Sequence, residues 1–169
     1  ESGAVSRVEQ DGKAYAFKDP LVLTLPGGTA NLDGPGLRFD LDGDGTRESI
    51  PFVGTGCALL AWDRNGNGCI DDGRELFGVA TRLDGGQIAG NGYVAMQALD
   101  SNGDGRLDAK DAAFGELRVW VDADSDGLSS AAELHGLVDL GIVSLDLNAQ
   151  AGTTVDQAIC WVWSRATPA

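Results

Sequence analysis

Asp122-Ala-Asp124-Ser-Asp126-Gly127-Leu128-Ser-Ser-Ala-Ala-Glu133 is the stretch from which the rest of the chain can be read. Oxygen-bearing side chains at loop positions 1, 3 and 5 converge on one hard cation, and glycine at position 6 makes the sharp turn. Position 7 then offers its carbonyl, and a glutamate at position 12 closes the shell with both oxygens. Here the donors are Asp122, Asp124, Asp126, the Leu128 carbonyl and Glu133. Calcium is the expected cofactor, because magnesium prefers a smaller octahedral shell that keeps several waters. The apolar residue usual at position 8 stands instead at 7, as Leu128, so pairing of this loop with a partner is expected to be altered.

The ladder recurs upstream. Loop three supplies Asp100, Asn102, Asp104, the Arg106 carbonyl, Asp108 at position 9 and Asp111 at 12, the shorter aspartate being suited to binding through one oxygen. Loop two supplies Asp63, Asn65, Asn67, the Cys69 carbonyl and Asp71. Its position 12 is Arg74 and its glutamate comes one place later, at Glu75, so a bulge at Asp72-Gly73 is needed to return that carboxylate to the ion. Loop one has Asp40, Asp42 and Asp44, with Glu48 at position 9 and Pro51 at 12, which makes it a half-site filled only when calcium is high. The competing reading of one such ladder is a solvated Asx turn; four within residues 40–133 point to a metal. Residues 24–36 look like an eroded fifth.

A chain of 169 residues with 43% hydrophobic content can bury one core, in one or at most two small domains. With 26 acids against 12 bases the formal charge is -14, which excludes nucleic acid as a partner because its phosphates would be repelled. Acid concentrated in loops makes the metal-free chain self-repelling, so calcium binding is expected to supply folding free energy. A single histidine, His135, and three scattered cysteines, Cys57, Cys69 and Cys160, exclude the usual transition-metal sites. The thiols are expected buried and free, and His135 on the polar side of a helix. No apolar run is long enough to span a membrane and no N-terminal signal is legible. The expectation is a monomeric module of a larger protein, exported and working outside the cell.

The fold class expected is α+β, with short helices and strands organised around several EF-hand-like calcium-binding loops. Residues 1–18 read as an N-terminal flank or hairpin turning at Asp11-Gly12, 19–147 as the calcium-binding module and 148–169 as a C-terminal strand segment. Strands are expected at Leu21–Leu25, Leu117–Val121, Ile142–Leu147 and Ile159–Trp163, and a loop over 26–38. The spacing of Tyr93, Val94, Met96 and Leu99 predicts a helix over 92–99. A turn of helix is expected over 109–114, and an amphipathic helix over 130–140 capped by Gly141.

Leu60-Ala-Trp-Asp-Arg-Asn-Gly-Asn-Gly68, Asp72-Gly-Arg-Glu-Leu-Phe-Gly78, Ala98-Leu-Asp-Ser-Asn-Gly-Asp-Gly105, Asp111-Ala-Ala-Phe114 and Leu117-Arg-Val-Trp120, continued by Glu133-Leu134 and Leu140-Gly-Ile142, resemble the calcium-dependent self-processing module of RTX-type proteins exported by Gram-negative bacteria. The resemblance runs from about residue 19 to 147. It implies that calcium triggers cleavage of an Asp-Pro bond at the module's own N-terminal edge, and that the new aspartyl end can be joined to a lysine of another protein chain. The only Asp-Pro is Asp19-Pro20. The chemistry is reasonable from first principles, because the Asp19 carboxylate can close a five-membered anhydride on its own backbone carbonyl and Pro20 leaves as a secondary amine.

The competing reading is a non-catalytic module, a calcium-stabilised structural or adhesion domain of a large secreted protein. A sensor that opens an apolar groove fits poorly with one methionine, Met96. Dockerin-like binding lacks a second copy at short spacing. No phosphate loop and no histidine set for a hydrolytic triad is present in the sequence.

Overall fold

Alternation decides the central sheet. Leu21 and Leu23 share one face with Ala58, Leu60 and Val119, while Val22, Leu59, Ala61 and Trp120 share the other, the period-2 placement that an extended chain imposes. The computed structural model describes residues 7–10, 13–16, 20–25, 34–52, 56–78, 80–90, 92–147, 160–161 and 164–165. Along these run β1 (Arg7–Gln10), β2 (Lys13–Ala16), β3 (Val22–Thr24), β4 (Gly34–Phe39), β5 (Glu48–Phe52), β6 (Cys57–Ala61), α1 (Gly92–Gln97), β7 (Arg106–Asp108), β8 (Arg118–Trp120), β9 (Leu134–Gly136), β10 (Ile142–Asp146), β11 (Cys160–Trp161) and β12 (Ser164–Arg165).

The five-stranded sheet has the order β11-β3-β6-β8-β9, with β11 parallel to β3 and the other pairs antiparallel. A three-stranded sheet, β12-β10-β7, and the hairpins β1-β2 and β4-β5 complete the strand pairing. β1 pairs antiparallel with β2, Gln10 opposite Lys13, and the turn expected at Asp11-Gly12 lies outside the described residues. With one six-residue α-helix, the described chain is α+β with strands dominant.

Both faces of the large sheet are covered, and the acidic loops do the covering. Phe39 and Leu41 from around loop one, with Ile70 and Leu76 from loop two and its exit, pack on Val22, Leu59, Ala61 and Trp120. The Phe39 and Trp120 rings lie 5.4 Å apart, tilted by 51°, within the range that aromatic pairs favour. On the opposite face Ala95 and Met96 of α1 pack with Leu107 of loop three, Phe114, Leu117 and Leu145. Gly92 opens α1 where any side chain would meet Leu21 at 2.5 Å and the Phe77 carbonyl oxygen at 2.6 Å.

Several expectations are corrected. Residues 130–140 form no amphipathic helix: 131–133 is a turn, 134–136 pairs with β8 as β9, and Val138–Leu140 is a single 3-10 turn. Gly136 weakens any helix there, strand pairing takes its place, and Val138 is left 66% exposed. His135 accordingly lies in β9, opposite Val119. Gly141 does end the 3-10 turn in the left-handed conformation, with φ 75°. The second half of the glycine-rich loop is β4, because loop one turns the chain back on itself. Residues 109–113 are turns, followed by a 3-10 turn at Phe114–Glu116. Cys69 is free as expected but exposed, not buried.

Candidate metal centre

Loops one, two and four each bridge antiparallel backbone, and only loop three follows a helix. Loop one joins β4 to β5 with Phe39 opposite Glu48, loop four joins β8 to β9, and loop two runs from β6 to a bridge between Ala61 and Leu76. The closing glutamate is tied to the strand before the loop in the same way in two cases. Val121 N–H donates to the Glu133 carbonyl at 2.9 Å, and Trp62 N–H to the Glu75 carbonyl at 2.8 Å. A helix-loop-helix frame is therefore replaced by a hairpin frame around the same loop spacing.

The loops themselves repeat one internal pattern. The first aspartate takes the N–H of the glycine at position 6 with one oxygen: Gly45 to Asp40 at 2.8 Å, Gly68 to Asp63 at 2.8 Å, Gly105 to Asp100 at 2.9 Å and Gly127 to Asp122 at 3.0 Å. Its other oxygen takes N–H groups from positions 4 and 5 in loops one and two, from position 4 in loop three and from position 5 in loop four. Side-chain oxygens at positions 3 and 5 each accept from the N–H two residues on, as in Asp126 to Asp124 at 3.2 Å and Leu128 to Asp126 at 2.7 Å. The donors are thereby turned to one side. In loops one and four the three carboxylates bring oxygens within 4.8 Å of one another.

Three loops are closed by one carboxylate that spans them. Glu133 accepts from Ala123 N–H at 2.9 Å with one oxygen and from Ser130 N–H at 3.0 Å with the other. Asp111 does the same with Ser101 at 2.8 Å and Asp108 at 3.0 Å. Glu75 does it with Arg64 at 3.2 Å and Asp71 at 2.9 Å, although it stands one place later in sequence. These are positions 2 and 9 each time. The displaced residue is absorbed by a 3-10 turn at Gly73–Glu75, capped by Asp72, whose carboxylate also pairs with Arg74 at 2.5 Å. Among the described residues loop one shows no such closer: position 12 is Pro51 within β5, and of Glu48 only its backbone place in β5 is described.

Burial and charge favour a cation. Glu75, Asp111, Asp122 and Glu133 are all buried, and buried charge is stable only when it is paired or ligated. Burial pushes the Asp122 carboxyl above the usual range, helped by the charge of Glu133 and opposed by N–H donors from Gly127, Ser125 and Asp126. At Glu133 and Asp111 burial also pushes upward, but the converging donors outweigh it and both carboxyls lie below the usual range. Loop three contains a cation of its own. The Lys110 ammonium lies 3.3 Å from Asp104 and 3.7 Å from Asp108, and its pKa is raised by the hydrogen bond to Asp104 and by both charges. The acidic clusters are able to hold a metal, and a donor set of carboxylate, amide and carbonyl oxygen suits a hard cation.

The loops are joined in a series that the ladder spacing does not reveal. Ile70 and Ser129 both occupy position 8, in loops two and four; Ile70 N–H donates to the Ser129 hydroxyl at 2.5 Å, which donates to the Ile70 carbonyl at 3.4 Å. The altered pairing expected from Leu128 is thus a side-chain bridge. Loop one is fastened to loop two where Gly73 N–H donates to the Asp40 carbonyl at 2.8 Å. Arg74 lies against Gly43, where a side chain would meet its guanidinium arm at 2.8 Å. Sequence reasoning also passed over position 4. Gly43, Gly66 and Gly103 have φ between 71 and 72°, and Ser125 takes the same role at 60°. The signal was visible as a second glycine two places before the first.

The SPM domain family matches residues 21–167. The chain belongs to this family. It is also 47% identical over 143 residues to the iron-regulated protein FrpA of Neisseria meningitidis serogroup C, covering 82% of this chain and 13% of FrpA. The SPM match falls on the stretch that carries the sequence resemblance, and the chain spans about an eighth of the relative's length. Immediately before the matched stretch, Pro20 is half-buried and precedes Leu21, whose N–H donates to the Phe77 carbonyl at 2.7 Å while its own carbonyl accepts from Leu60 at 3.2 Å. Asp19 lies outside the described residues. No helix among the described residues is long and apolar enough to cross a membrane.

Proposed function

We propose that this SPM domain is an extracellular, monomeric calcium-binding module of an RTX-type protein, which folds on calcium and then cleaves its own Asp19-Pro20 bond. The observation that carries the calcium reading is the common closure of loops two, three and four by Glu75, Asp111 and Glu133. Asp63, Asn65, Asn67 and Asp71 would hold one ion, Asp100, Asn102, Asp104 and Asp108 a second, and Asp122, Asp124 and Asp126 a third, each with its closer. The carbonyls of Cys69, Arg106 and Leu128 complete them. Asp40, Asp42 and Asp44 would form a weaker site with Glu48. Bound calcium supplies the positive charge that lets these carboxylates share a small volume.

The chain's own residues do the rest. Leu21 is 2% exposed and tied to Phe77 and Leu60, which fixes the leaving-group side of the bond and removes part of the entropy of reaching an attack geometry. The Asp19 carboxylate attacks its own carbonyl carbon, the C–N bond to Pro20 breaks, and the proline nitrogen takes a proton. Water opens the resulting anhydride, or a lysine of another chain does so and leaves an isopeptide. The mass of the purified chain before and after millimolar calcium tests this. Loss of residues 1–19 is expected, abolished in Asp19→Ala, and an unchanged mass with calcium bound would leave the non-catalytic structural domain. That second reading draws on the segment Leu21–Gly28, which carries no acid beside the bond.

A further inference from the structure

Loops two and three differ from loops one and four in having asparagine before glycine within the ladder: Asn65-Gly66, Asn67-Gly68 and Asn102-Gly103. In an unrestrained chain such a pair cyclises readily, because glycine has no side chain to hinder its nitrogen from reaching the preceding amide carbon. We propose that Asn65, Asn67 and Asn102 are self-modification sites, open while their loops are unfolded and shut by the fold. In the reaction the glycine nitrogen loses its proton and bonds to Cγ of the asparagine. The Cγ–Nδ2 bond breaks, ammonia leaves, and water opens the five-membered imide at either carbonyl to give aspartate or isoaspartate.

The folded loops hold both reacting groups away from this path. The nucleophilic nitrogens of Gly66 and Gly68 donate their hydrogens to Asp63 at 2.7 and 2.8 Å, and that of Gly103 donates to Asp100 at 2.7 Å. A carboxylate acceptor stabilises the N–H form and its charge opposes formation of an anionic nitrogen. The amide oxygens are turned forward along the loop: Asn65 accepts from Asn67 N–H at 2.9 Å, Asn67 from Cys69 at 2.8 Å and Asn102 from Asp104 at 2.8 Å. All three asparagines are exposed, so exclusion of water gives no protection and the hydrogen bonds must supply it.

The two products have opposite consequences. Aspartate at 65, 67 or 102 moves loops two and three toward the all-carboxylate ladders of loops one and four. Isoaspartate inserts a methylene into the main chain and displaces every later donor in the loop. Time spent unfolded is thereby recorded in the loops. This inference stands on the hydrogen bonds of the folded loops and not on cleavage; because folding is proposed to need calcium, the native sample is held in calcium.

Incubating the chain at mildly alkaline pH, native and in guanidinium chloride, and mapping peptides by a mass method that separates aspartate from isoaspartate, tests it. Deamidation at the three positions is expected to be at least about tenfold slower in the native chain, the factor that one charge-assisted hydrogen bond carries. In a folded Asp100→Ala variant, Asn102 should approach its denatured rate while Asn65 and Asn67 keep theirs. If that variant unfolds, all three rates rise together and the comparison on the unaltered chain decides. Equal native and denatured rates, or a folded variant with Asn102 unaffected, would overturn the proposal.

Discussion

Replacing Gly73 by alanine should separate loops one and two. The added methyl would lie well inside contact distance of the Leu41 carbonyl oxygen and 2.5 Å from its carbon, against an optimum of about 3.5 Å for two carbons, so the two backbones must part by about 1 Å. That shift stretches the 2.8 Å hydrogen bond from Gly73 N–H to the Asp40 carbonyl beyond bonding range. Overpacking costs about 1–3 kcal/mol and the lost hydrogen bond about 1 more, which gives a destabilisation of about 2–4 kcal/mol. The same movement pulls Glu75 away from Arg64 and Asp71, so calcium affinity at loop two should fall as well. Denaturant unfolding at saturating calcium measures the first effect and calorimetric titration the second. Gly115→Ala is the control, because a methyl there meets nothing within 4 Å. If Gly73→Ala unfolds within about 0.5 kcal/mol of the parent, the range of an ordinary surface change, the close approach of the two loops is wrong.

Two further outcomes are expected. Ser129→Ala leaves the buried Ile70 N–H without its partner and should cost about 1–3 kcal/mol of stability; unchanged denaturant curves would show that position 8 does not bridge loops two and four. The second concerns pH at a fixed, saturating calcium concentration. The folded Glu133 carboxyl lies below its unfolded value, so its contribution is present above the unfolded pKa and is lost as pH falls through the folded one. The parent should therefore lose more stability on acidification than Glu133→Gln, and parallel melting-temperature curves for the two would contradict the donor arrangement. Asp122, its pKa raised by burial and in small part by the charge of Glu133, works in the opposite sense and offsets part of the difference between the two proteins.

Residues 40–133 made the acidic loops legible because the bonds that turn their carboxylates inward are local. Asp122 reaches Gly127 and Glu133 reaches Ala123 within one loop length, so spacing alone locates the donors and even the displaced Glu75. Strands with clean alternation, at 21–25, 117–121 and 142–147, were equally readable. The helix expected over 130–140 was not, because its apolar spacing suited a helix while the pairing of Trp120 with Leu134 required extended chain. Local periodicity says nothing of that competition.

What the sequence determined by itself is therefore the set of loops, the oxygen-bearing side chains they carry, the acidic charge and the single Asp-Pro bond. Only the tertiary structure decided that loops one, two and four bridge antiparallel backbone, that loops one and two cover one face of the sheet and loop three the other, and that Ser129 meets Ile70. The reason is distance along the chain. Ile70 and Ser129 are 59 residues apart, and neither carries a local pattern that names the other; their meeting follows from β6 pairing with β8, which side-chain packing on both faces selects.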